Sequence, residues 1–264
     1  MGTEIKVLFP FEISDFLFLE LKKIFAQMEK KYSRFDSNSE LSKLNLEKEI
    51  KLDQEFLEII TLCKKTYKET NEAFNPLLSV KNLWYKESYK NPSKINEKKY
   101  NIDFNSIKIE NWILKLKDDQ ELDLWWIVKG FTVDKASKFL LENWIKDFLI
   151  NAGWDIFASG KANKNGKWKI EVEKTWQIIE LSNKAVASSW KTKRFWKWSD
   201  WNLYHHILNV FTKKSSENDL ASISVVANSC AEADAWATAS FSLGEIQWQN
   251  LLIDNWKKYY LNLW

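Results

Sequence analysis

Asp234 and Thr238 are the residues whose types and spacing most directly suggest chemistry. They are four residues apart in a segment, residues 231–243, whose pattern predicts a helix, so their side-chain oxygens share one helix face. A carboxylate and a hydroxyl among alanines suit a hard cation that takes oxygen ligands. The structural alternative is an aspartate favoured by the helix dipole and a threonine bonded to its own backbone. Spacing alone leaves both interpretations open.

A second candidate site lies in residues 122–134. This segment has the pattern of an apolar strand carrying Asp123, followed through Lys129-Gly130 by an amphipathic helix. A strand that turns directly into a helix presents backbone N–H groups and a positive dipole end to an anion, and a lysine at the turn adds a charge suited to phosphate. The pattern indicates a phosphate-bearing ligand, with an ordinary strand-to-helix corner as the alternative.

His205 and His206 are the only histidines of the chain. Neighbouring residues on a strand point to opposite faces, so at most one of the two can serve a given site, and a zinc site from this pair alone is not expected. The sequence also contains no Walker A loop, GxGxxG, GxSxG or HExxH motif. The common nucleotide-binding and hydrolase signatures are therefore absent.

The elements that must position these residues form a mixed pattern. An opening strand at 4–9 precedes a long helix that Asp15 can cap; a turn begins at Ser39, a second helix covers 56–67, and a hairpin covers 107–116. Further strand patterns occupy 148–151, 155–159, 168–173, 178–181, 185–188, 203–208 and 223–227, before a helix at 231–243 and a last helix and strand. Because strands joined by hairpins dominate after residue 100, we predict an α+β fold with antiparallel sheets flanked by helices, in one domain over residues 1–264.

Composition narrows the class of protein. The chain has 264 residues, 45% of them apolar and 28% charged, and a net charge of +3 with acids and bases interleaved. No basic stripe indicates nucleic acid, and no apolar run reaches the roughly eighteen residues of a membrane helix. The first residues lack the pattern of a signal peptide. Cys63 and Cys230 fit neither a disulfide scaffold nor a zinc site.

Tryptophan and glycine usage is anomalous. Tryptophan occurs 16 times and glycine only 6 times. Several tryptophans stand where Asn-Gly or Asp-Gly is expected: the pairs are Asn111-Trp112, Asn143-Trp144, Asp200-Trp201 and Asn255-Trp256. We hypothesise that many tryptophans are glycines encoded by a reassigned stop codon and mistranslated, which predicts TGA codons at Trp112, Trp125, Trp126 and Trp154.

In chain order, these pieces resemble the ApbE family of FAD:protein FMN transferases. The segments that carry the resemblance are residues 1–3, 33–35, 39–41, 73–76, 82–84, 123–131 (Asp-Leu-Trp-Trp-Ile-Val-Lys-Gly-Phe), 151–155 (Asn-Ala-Gly-Trp-Asp), 187–190, 206–209 and 233–238 (Ala-Asp-Ala-Trp-Ala-Thr). They span nearly the whole chain. Trp125, Trp126, Trp154 and Trp190 fall on glycines of the family pattern, whereas Trp84, Trp168 and Trp236 look like genuine tryptophans.

The resemblance implies an ApbE, T-fold-like domain and a Mg²⁺-dependent transfer of FMN from FAD to a threonine or serine hydroxyl of an acceptor protein, with AMP leaving. Asp234 and Thr238 would hold Mg²⁺ together with a backbone carbonyl near Trp126. Asp123 and Lys129 would contact FAD, the lysine near its diphosphate. The implied catalytic residues are His206, against the cofactor and able to assist proton transfer, and Asp234; the other implied FAD contacts are Met1, Phe35, Ala73, Phe74 and Asn75.

Two alternatives remain from sequence. One is an FAD pyrophosphatase that releases FMN and AMP. The other is a flavin-binding protein without catalysis, which Trp125 and Trp126 would favour if they are genuine, because two indoles would crowd the diphosphate. The implied partners are FAD and an acceptor protein, without nucleic acid. Family members often work at the bacterial cell envelope, and membrane association is expected only if a leader is missing from this chain.

Overall fold

The structure is a computed structural model that describes residues 3–78, 101–164, 166–172, 177–190, 195–197, 203–205, 207–216, 220–243 and 245–263. Its α-helices are α1 Asp15–Tyr32, α2 Glu40–Glu47, α3 Gln54–Glu69, α4 Trp125–Glu142, α5 Cys230–Ser242 and α6 Glu245–Asp254. Its strands are β1 Ile5–Leu8, β2 Glu49–Lys51, β3 Lys108–Glu110, β4 Ile113–Lys115, β5 Phe148–Ala152, β6 Asp155–Ser159, β7 Trp168–Val172, β8 Gln177–Leu181, β9 Lys184–Trp190, β10 Phe195–Lys197, β11 Leu203–His205, β12 Leu220–Ala227 and β13 Lys258–Leu263.

A six-stranded sheet organises the fold, in the order β1-β5-β6-β9-β12-β13. Smaller sheets are formed by β2-β4-β3, β7-β8 and β10-β11, and every strand pair described is antiparallel. The predicted α+β class with antiparallel sheets is therefore confirmed. The prediction of one domain over residues 1–264 stays a prediction.

The large sheet is covered on both faces, as alternation along β5 shows. Phe148 and Ile150 belong to a core with residues of α1 and α4, whereas Leu149 belongs to a core with the β7–β8 hairpin. Successive strand residues point to opposite faces, so one strand contributes to both cores. A third and larger core joins α3, the β3–β4 hairpin and α5.

Side-chain caps define where most helices begin. Ser39, Asp53 and Ser229 precede α2, α3 and α5, and each accepts a hydrogen bond from a backbone N–H in the first turn. The cap of α1 is Ser14, whose Oγ accepts from the Leu17 N–H at 3.4 Å, so the prediction that Asp15 caps this helix is wrong. Asp15 instead occupies the first turn, where its charge favours the helix dipole.

The segment 122–134 differs from its predicted strand-turn-helix form. Helix α4 begins at Trp125, so Lys129 and Gly130 lie inside the helix and not at a turn, and no strand precedes it in the sheets described. Instead of pairing in a sheet, Asp123 takes other partners: its N–H donates to the distant Pro76 carbonyl and its Oδ1 accepts from the Trp125 N–H. The predicted amphipathic helix itself is confirmed.

Candidate active site

Three side chains from three elements converge at the centre of the fold, and we call them the acidic cluster: Lys129 of α4, Asp155 of β6 and Asp234 of α5. The Lys129 Nζ lies 2.5 Å from Asp155 Oδ1 and 3.9 Å from Asp234 Oδ2. The Asp155 side chain is fully buried and that of Asp234 is 5% exposed. One ammonium therefore faces two buried carboxylates.

Electrostatics within the acidic cluster keep the lysine charged. Burial alone would lower the pKa of Lys129, but the attraction of Asp155 and Asp234 outweighs it and raises this pKa above its ordinary value. Burial raises the pKa of the Asp155 carboxyl, against the lowering effect of Lys129. One ammonium thus faces two carboxylates in a low-dielectric environment, so a further cation bound beside them would favour ionisation of both.

Close packing of α4 against the start of α5 sets the geometry of the acidic cluster. A Cβ added at Gly130 would lie 2.6 Å from the carbonyl oxygen of Cys230, so only glycine allows this approach. One turn further along α4, the Asp134 carboxylate accepts hydrogen bonds from the backbone N–H groups of Cys230 (2.6 Å) and Ala231 (2.9 Å). Helix α5, which carries Asp234, is thus fixed by a carboxylate of the neighbouring helix.

The acidic cluster opens into a small cleft, which we call the acidic cleft. Its volume is about 110 Å³ and its lining residues are Thr3, Trp125, Trp126, Lys129, Gly153, Ser188, Ser189, Trp190, Ile207 and Asp234. Thr238, one turn after Asp234, is buried, and its Oγ1 lies 3.4 Å from the Ser189 Oγ. The structure therefore brings Trp126, Lys129, Asp234 and Thr238 into one neighbourhood.

The donor set of this neighbourhood fits a magnesium ion. Asp234 offers a carboxylate and Thr238 a hydroxyl from one helix face, and Trp126 lines the same cleft as Asp234. Mg²⁺ binds oxygen ligands and commonly takes only one or two carboxylates from the protein, keeping other positions for water and phosphate. Within the described ranges, no group of three or more His, Cys, Asp and Glu side chains has a metal-site arrangement, so a carboxylate–hydroxyl–carbonyl set is the form to consider.

An apolar cavity of about 310 Å³ adjoins the acidic cleft. Its lining residues are Met28, Glu29, Tyr32, Ser33, Phe35, Trp125, Val128 and Lys129. Phe35 is 58% exposed, and its ring centroid lies 6.5 Å from that of Trp125 in an edge-on arrangement. Because Trp125 and Lys129 line both spaces, a ligand with a flat apolar part and an anionic part could occupy the two together.

Asp123 occupies a different environment from the acidic cluster. Its buried carboxylate pairs with the Arg34 guanidinium, which is 9% exposed and stacks 4.9 Å from the Phe35 ring centroid. The pair joins the loop after α1 to the residues just before α4. Asp123 thus lies beside Phe35, as the predicted cofactor contacts require, but its charge is already neutralised.

Three further predicted FAD contacts, Ala73, Phe74 and Asn75, line neither the acidic cleft nor the apolar cavity. Ala73 and Phe74 are buried in the core that contains α3 and α5. The Asn75 side chain donates to the Ile102 carbonyl at 2.8 Å and accepts from the Leu77 N–H at 3.0 Å, so it fixes the chain after α3. Met1 and His206 lie outside the described residues, and their predicted roles stay predictions.

Sequence reasoning missed three residues of this region: Arg34, Asp134 and Asp155. A signal existed for Asp155, because a lone carboxylate begins the apolar strand pattern 155–159 directly after a Gly-Trp turn. Arg34 also gave a signal, because it is one of only two arginines among 39 basic residues. Asp134 gave no local signal, since an aspartate on the polar face of a helix is ordinary.

The architecture is that of a known fold class. The structure is similar to flavin transferase ApbE from Vibrio cholerae, with a TM-score of 0.83 and 21% identity over 100% of this chain and 91% of that one. It is similar also to the ApbE protein of Thermotoga maritima, with a TM-score of 0.85 and 21% identity over 99% of this chain and 91% of that one. The fold is therefore that of the ApbE flavin transferases.

Sequence comparison gives the family. The ApbE family model matches residues 1–259, and the chain belongs to the ApbE family. The FAD:protein FMN transferase of Chlamydia muridarum is 27% identical over 234 residues, covering 83% of this chain and 73% of the relative. That of Haemophilus influenzae is 25% identical over 250 residues, covering 86% and 72%. The protein is accordingly an enzyme of the transferase class.

Proposed function

We propose that the protein transfers FMN from FAD to a threonine or serine hydroxyl of an acceptor protein in a Mg²⁺-dependent reaction that releases AMP. Family membership and the relatives named FAD:protein FMN transferase support the flavin chemistry. The single structural observation that carries the proposal is the acidic cluster: two buried carboxylates and one ammonium at the end of a cleft that adjoins an apolar cavity.

The reaction is an attack on a phosphorus atom of the FAD diphosphate. The acceptor oxygen bonds to the phosphorus of the FMN half, the bond to the bridging oxygen breaks, and AMP leaves with that oxygen. Such a transfer depends on neutralising charge and aligning the reacting groups more than on covalent catalysis. When bound, Mg²⁺ would neutralise charge on the diphosphate.

The residues of this chain have separable parts in the proposal. Asp234 and Thr238 would hold the ion, with a backbone carbonyl near Trp126. Lys129 would face the diphosphate, while Asp155 fixes the position of its ammonium and keeps it protonated. Phe35, with the other residues of the apolar cavity, would exclude water from the isoalloxazine. His206 as the group that moves the acceptor proton is a further part of the proposal.

The test uses FAD, MgCl₂ and an acceptor protein that one of the relatives flavinylates. We expect AMP in the supernatant and a flavin that remains on the acceptor after denaturing electrophoresis. AMP together with free FMN would instead identify an FAD pyrophosphatase, and bound but unchanged FAD would identify a flavin-binding protein. Omission of Mg²⁺ should abolish both AMP release and flavinylation of the acceptor. Transfer without a divalent cation would contradict the metal dependence that we propose.

Across the described ranges, no helix combines the length and the apolar character needed to cross a bilayer.

A further inference from the structure

Four tryptophans have a backbone conformation that large L-residues rarely adopt. The φ angles of Trp112, Trp144, Trp154 and Trp256 are 66°, 63°, 78° and 54°. In this left-handed region the Cβ of an L-residue is strained against the backbone, whereas glycine has no Cβ and adopts the conformation readily. Each of the four also follows an asparagine or a glycine.

Two of these tryptophans occupy the second position of a tight hairpin. Asn111 and Trp112 alone connect β3 to β4, with φ angles of 50° and 66°. Gly153 and Trp154 alone connect β5 to β6, with φ angles of 64° and 78°. Two-residue loops with positive φ at both positions have the pattern of type I′ turns, in which Asn-Gly and Gly-Gly are strongly preferred. Glycine is the expected residue at 112 and 154.

Trp144 ends helix α4 in the same unfavourable way. Its N–H donates to the Leu141 carbonyl at 3.1 Å, and the following N–H, of Ile145, donates to the Leu140 carbonyl at 3.0 Å. These paired bonds define a Schellman motif, whose left-handed residue is usually glycine and sometimes asparagine. Glycine is therefore expected at 144.

Trp256 repeats this arrangement after α6. Its N–H donates to the Ile253 carbonyl at 3.0 Å, and that of Lys257 donates to the Leu252 carbonyl at 2.9 Å. Helix α3 ends in the same paired bonds, but there the left-handed residue is Asn71, a residue that tolerates the conformation. The fold thus contains an internal example of a suitable residue at this position.

Burial does not compensate the strain at two of the four positions. Trp144 is 83% exposed and Trp256 is 95% exposed, so their indoles gain little from packing. Trp168, Trp236 and Trp248 are at most 7% exposed and have no positive φ. Trp144 and Trp256 thus combine exposure with backbone suited to glycine, whereas these three buried tryptophans have ordinary backbone.

We propose that the natural protein carries glycine at positions 112, 144, 154 and 256, and also at Trp125, Trp126 and Trp190. The last three line the acidic cleft and narrow it to about 110 Å³, whereas ligand sites commonly measure about 300–1,000 Å³. This second part rests on the proposed function. Average glycine usage would give about 18 glycines in a chain of this length, compared with 6 here, so the composition is consistent with the exchange.

The coding sequence gives the first test. We expect positions 112, 144, 154 and 256 to share one codon that is absent from positions 168, 236 and 248. Mass spectrometry of tryptic peptides from the natural host should then give the mass of glycine at the first four positions and of tryptophan at the last three. One common tryptophan codon at all seven positions, or tryptophan masses at the first four, would overturn the proposal.

Thermal unfolding gives a test that needs no natural host. A variant with W112G, W144G, W154G and W256G should have a melting temperature about 5 °C or more above that of the unsubstituted chain, because four strained φ angles are relieved. The matched controls W168G, W236G and W248G should each lower the melting temperature, because they remove buried indoles. An unchanged or lower melting temperature in the four-glycine variant, or its failure to fold, would refute the assignment.

FAD binding tests the part that concerns the cleft. Adding W125G, W126G and W190G to the four-glycine variant should tighten FAD binding at least 10-fold, measured by quenching of flavin fluorescence. If the four-glycine variant is stabilised but the seven-glycine variant binds FAD no better, the assignment of glycine to positions 112, 144, 154 and 256 stands. The assignment of glycine to the cleft positions 125, 126 and 190 then fails. If the seven-glycine variant binds FAD but transfers nothing to an acceptor, both assignments stand and the proposed function fails.

Discussion

The acidic cluster and a second ionic cluster, here called the helix cluster (Lys31, Asp53, Glu55 and Lys135), differ in charge balance and burial. In the helix cluster two lysines meet two principal carboxylates between α1, α3 and α4, and these four side chains are 16–56% exposed. In the acidic cluster one lysine meets two carboxylates, and the three side chains are at most 15% exposed.

The difference separates a structural arrangement from a functional one. Water and counterions screen the helix cluster, so its pairs add little to stability and need no further partner. The acidic cluster is shielded from water and holds two carboxylates against one ammonium, an imbalance that folding alone does not favour. Such an imbalance is expected where the missing positive charge arrives with a ligand.

Loss of Asp234, the proposed magnesium ligand, should have the largest effect on activity. Asp234→Ala should lower Mg²⁺-dependent FMN transfer by at least about 100-fold, because it removes a charged ligand, while the Lys129–Asp155 pair remains intact. The assay is flavin fluorescence of the acceptor after electrophoresis. The substitution is made in the form of the protein that transfers FMN, either the unsubstituted chain or the seven-glycine variant. Glu232→Ala is the matched control, since this carboxylate lies on the same helix but pairs with Lys257 at 2.5 Å. Undiminished transfer by Asp234→Ala would remove Asp234 from the site.

Removal of the lysine should also lower stability. Lys129→Met leaves two buried carboxylates without their ammonium and should lower the free energy of unfolding by about 3–5 kcal/mol. Adding Asp155→Asn should restore part of this loss, because one of the two charges disappears. Urea unfolding of the single and double variants measures the coupling. Strict additivity would show that the Lys129–Asp155 pair is not coupled.

A pH effect is expected beside the acidic cluster. Burial raises the pKa of Asp134 to about 7 from an ordinary 3.8, although the Ala231 and Cys230 N–H groups oppose this shift. Between these values the unfolded chain is deprotonated while the folded chain keeps the proton, so the contribution of Asp134 to stability is complete below about pH 4 and is lost as pH rises to about 7. The loss is at most about 4 kcal/mol.

Urea unfolding from pH 4 to pH 8 with Asp134→Asn, compared with the unsubstituted chain, tests this effect. The variant should show a smaller decline in stability over the interval, because the group that titrates is gone. Identical pH profiles for the two proteins would assign the decline to other groups.

The smallest effect should come from the helix cluster. Lys135→Met removes a lysine whose side chain is 38% exposed and should change the free energy of unfolding by about 1 kcal/mol or less. Raising the salt concentration should reduce this difference further. A loss as large as that from Lys129→Met would eliminate the proposed distinction between the two clusters.

Much of the fold could be predicted from the sequence because its signals are local. The two-residue turn at Asn111-Trp112, the helices around residues 56–67 and 231–243, and the strand at 155–159 were all expected from periodicity and turn residues, and the structure confirms them. The i, i+4 spacing likewise placed Asp234 and Thr238 on one helix face. Such features depend on residues within about one or two helical turns of each other.

Only the tertiary structure decided the partners of these residues. Lys129 meets Asp155 across 26 positions of sequence, and Arg34 meets Asp123 across 89, and no local pattern indicates either pair. The start of α4 at Trp125 also differs from the predicted strand and turn, and the bond from the Asp123 N–H to the Pro76 carbonyl forms only when the chain folds. The sequence determined which side chains could carry chemistry. Long-range packing decided which charges are neutralised and which face the cleft. The reason is that electrostatic interaction depends on distance and burial and not on order along the chain.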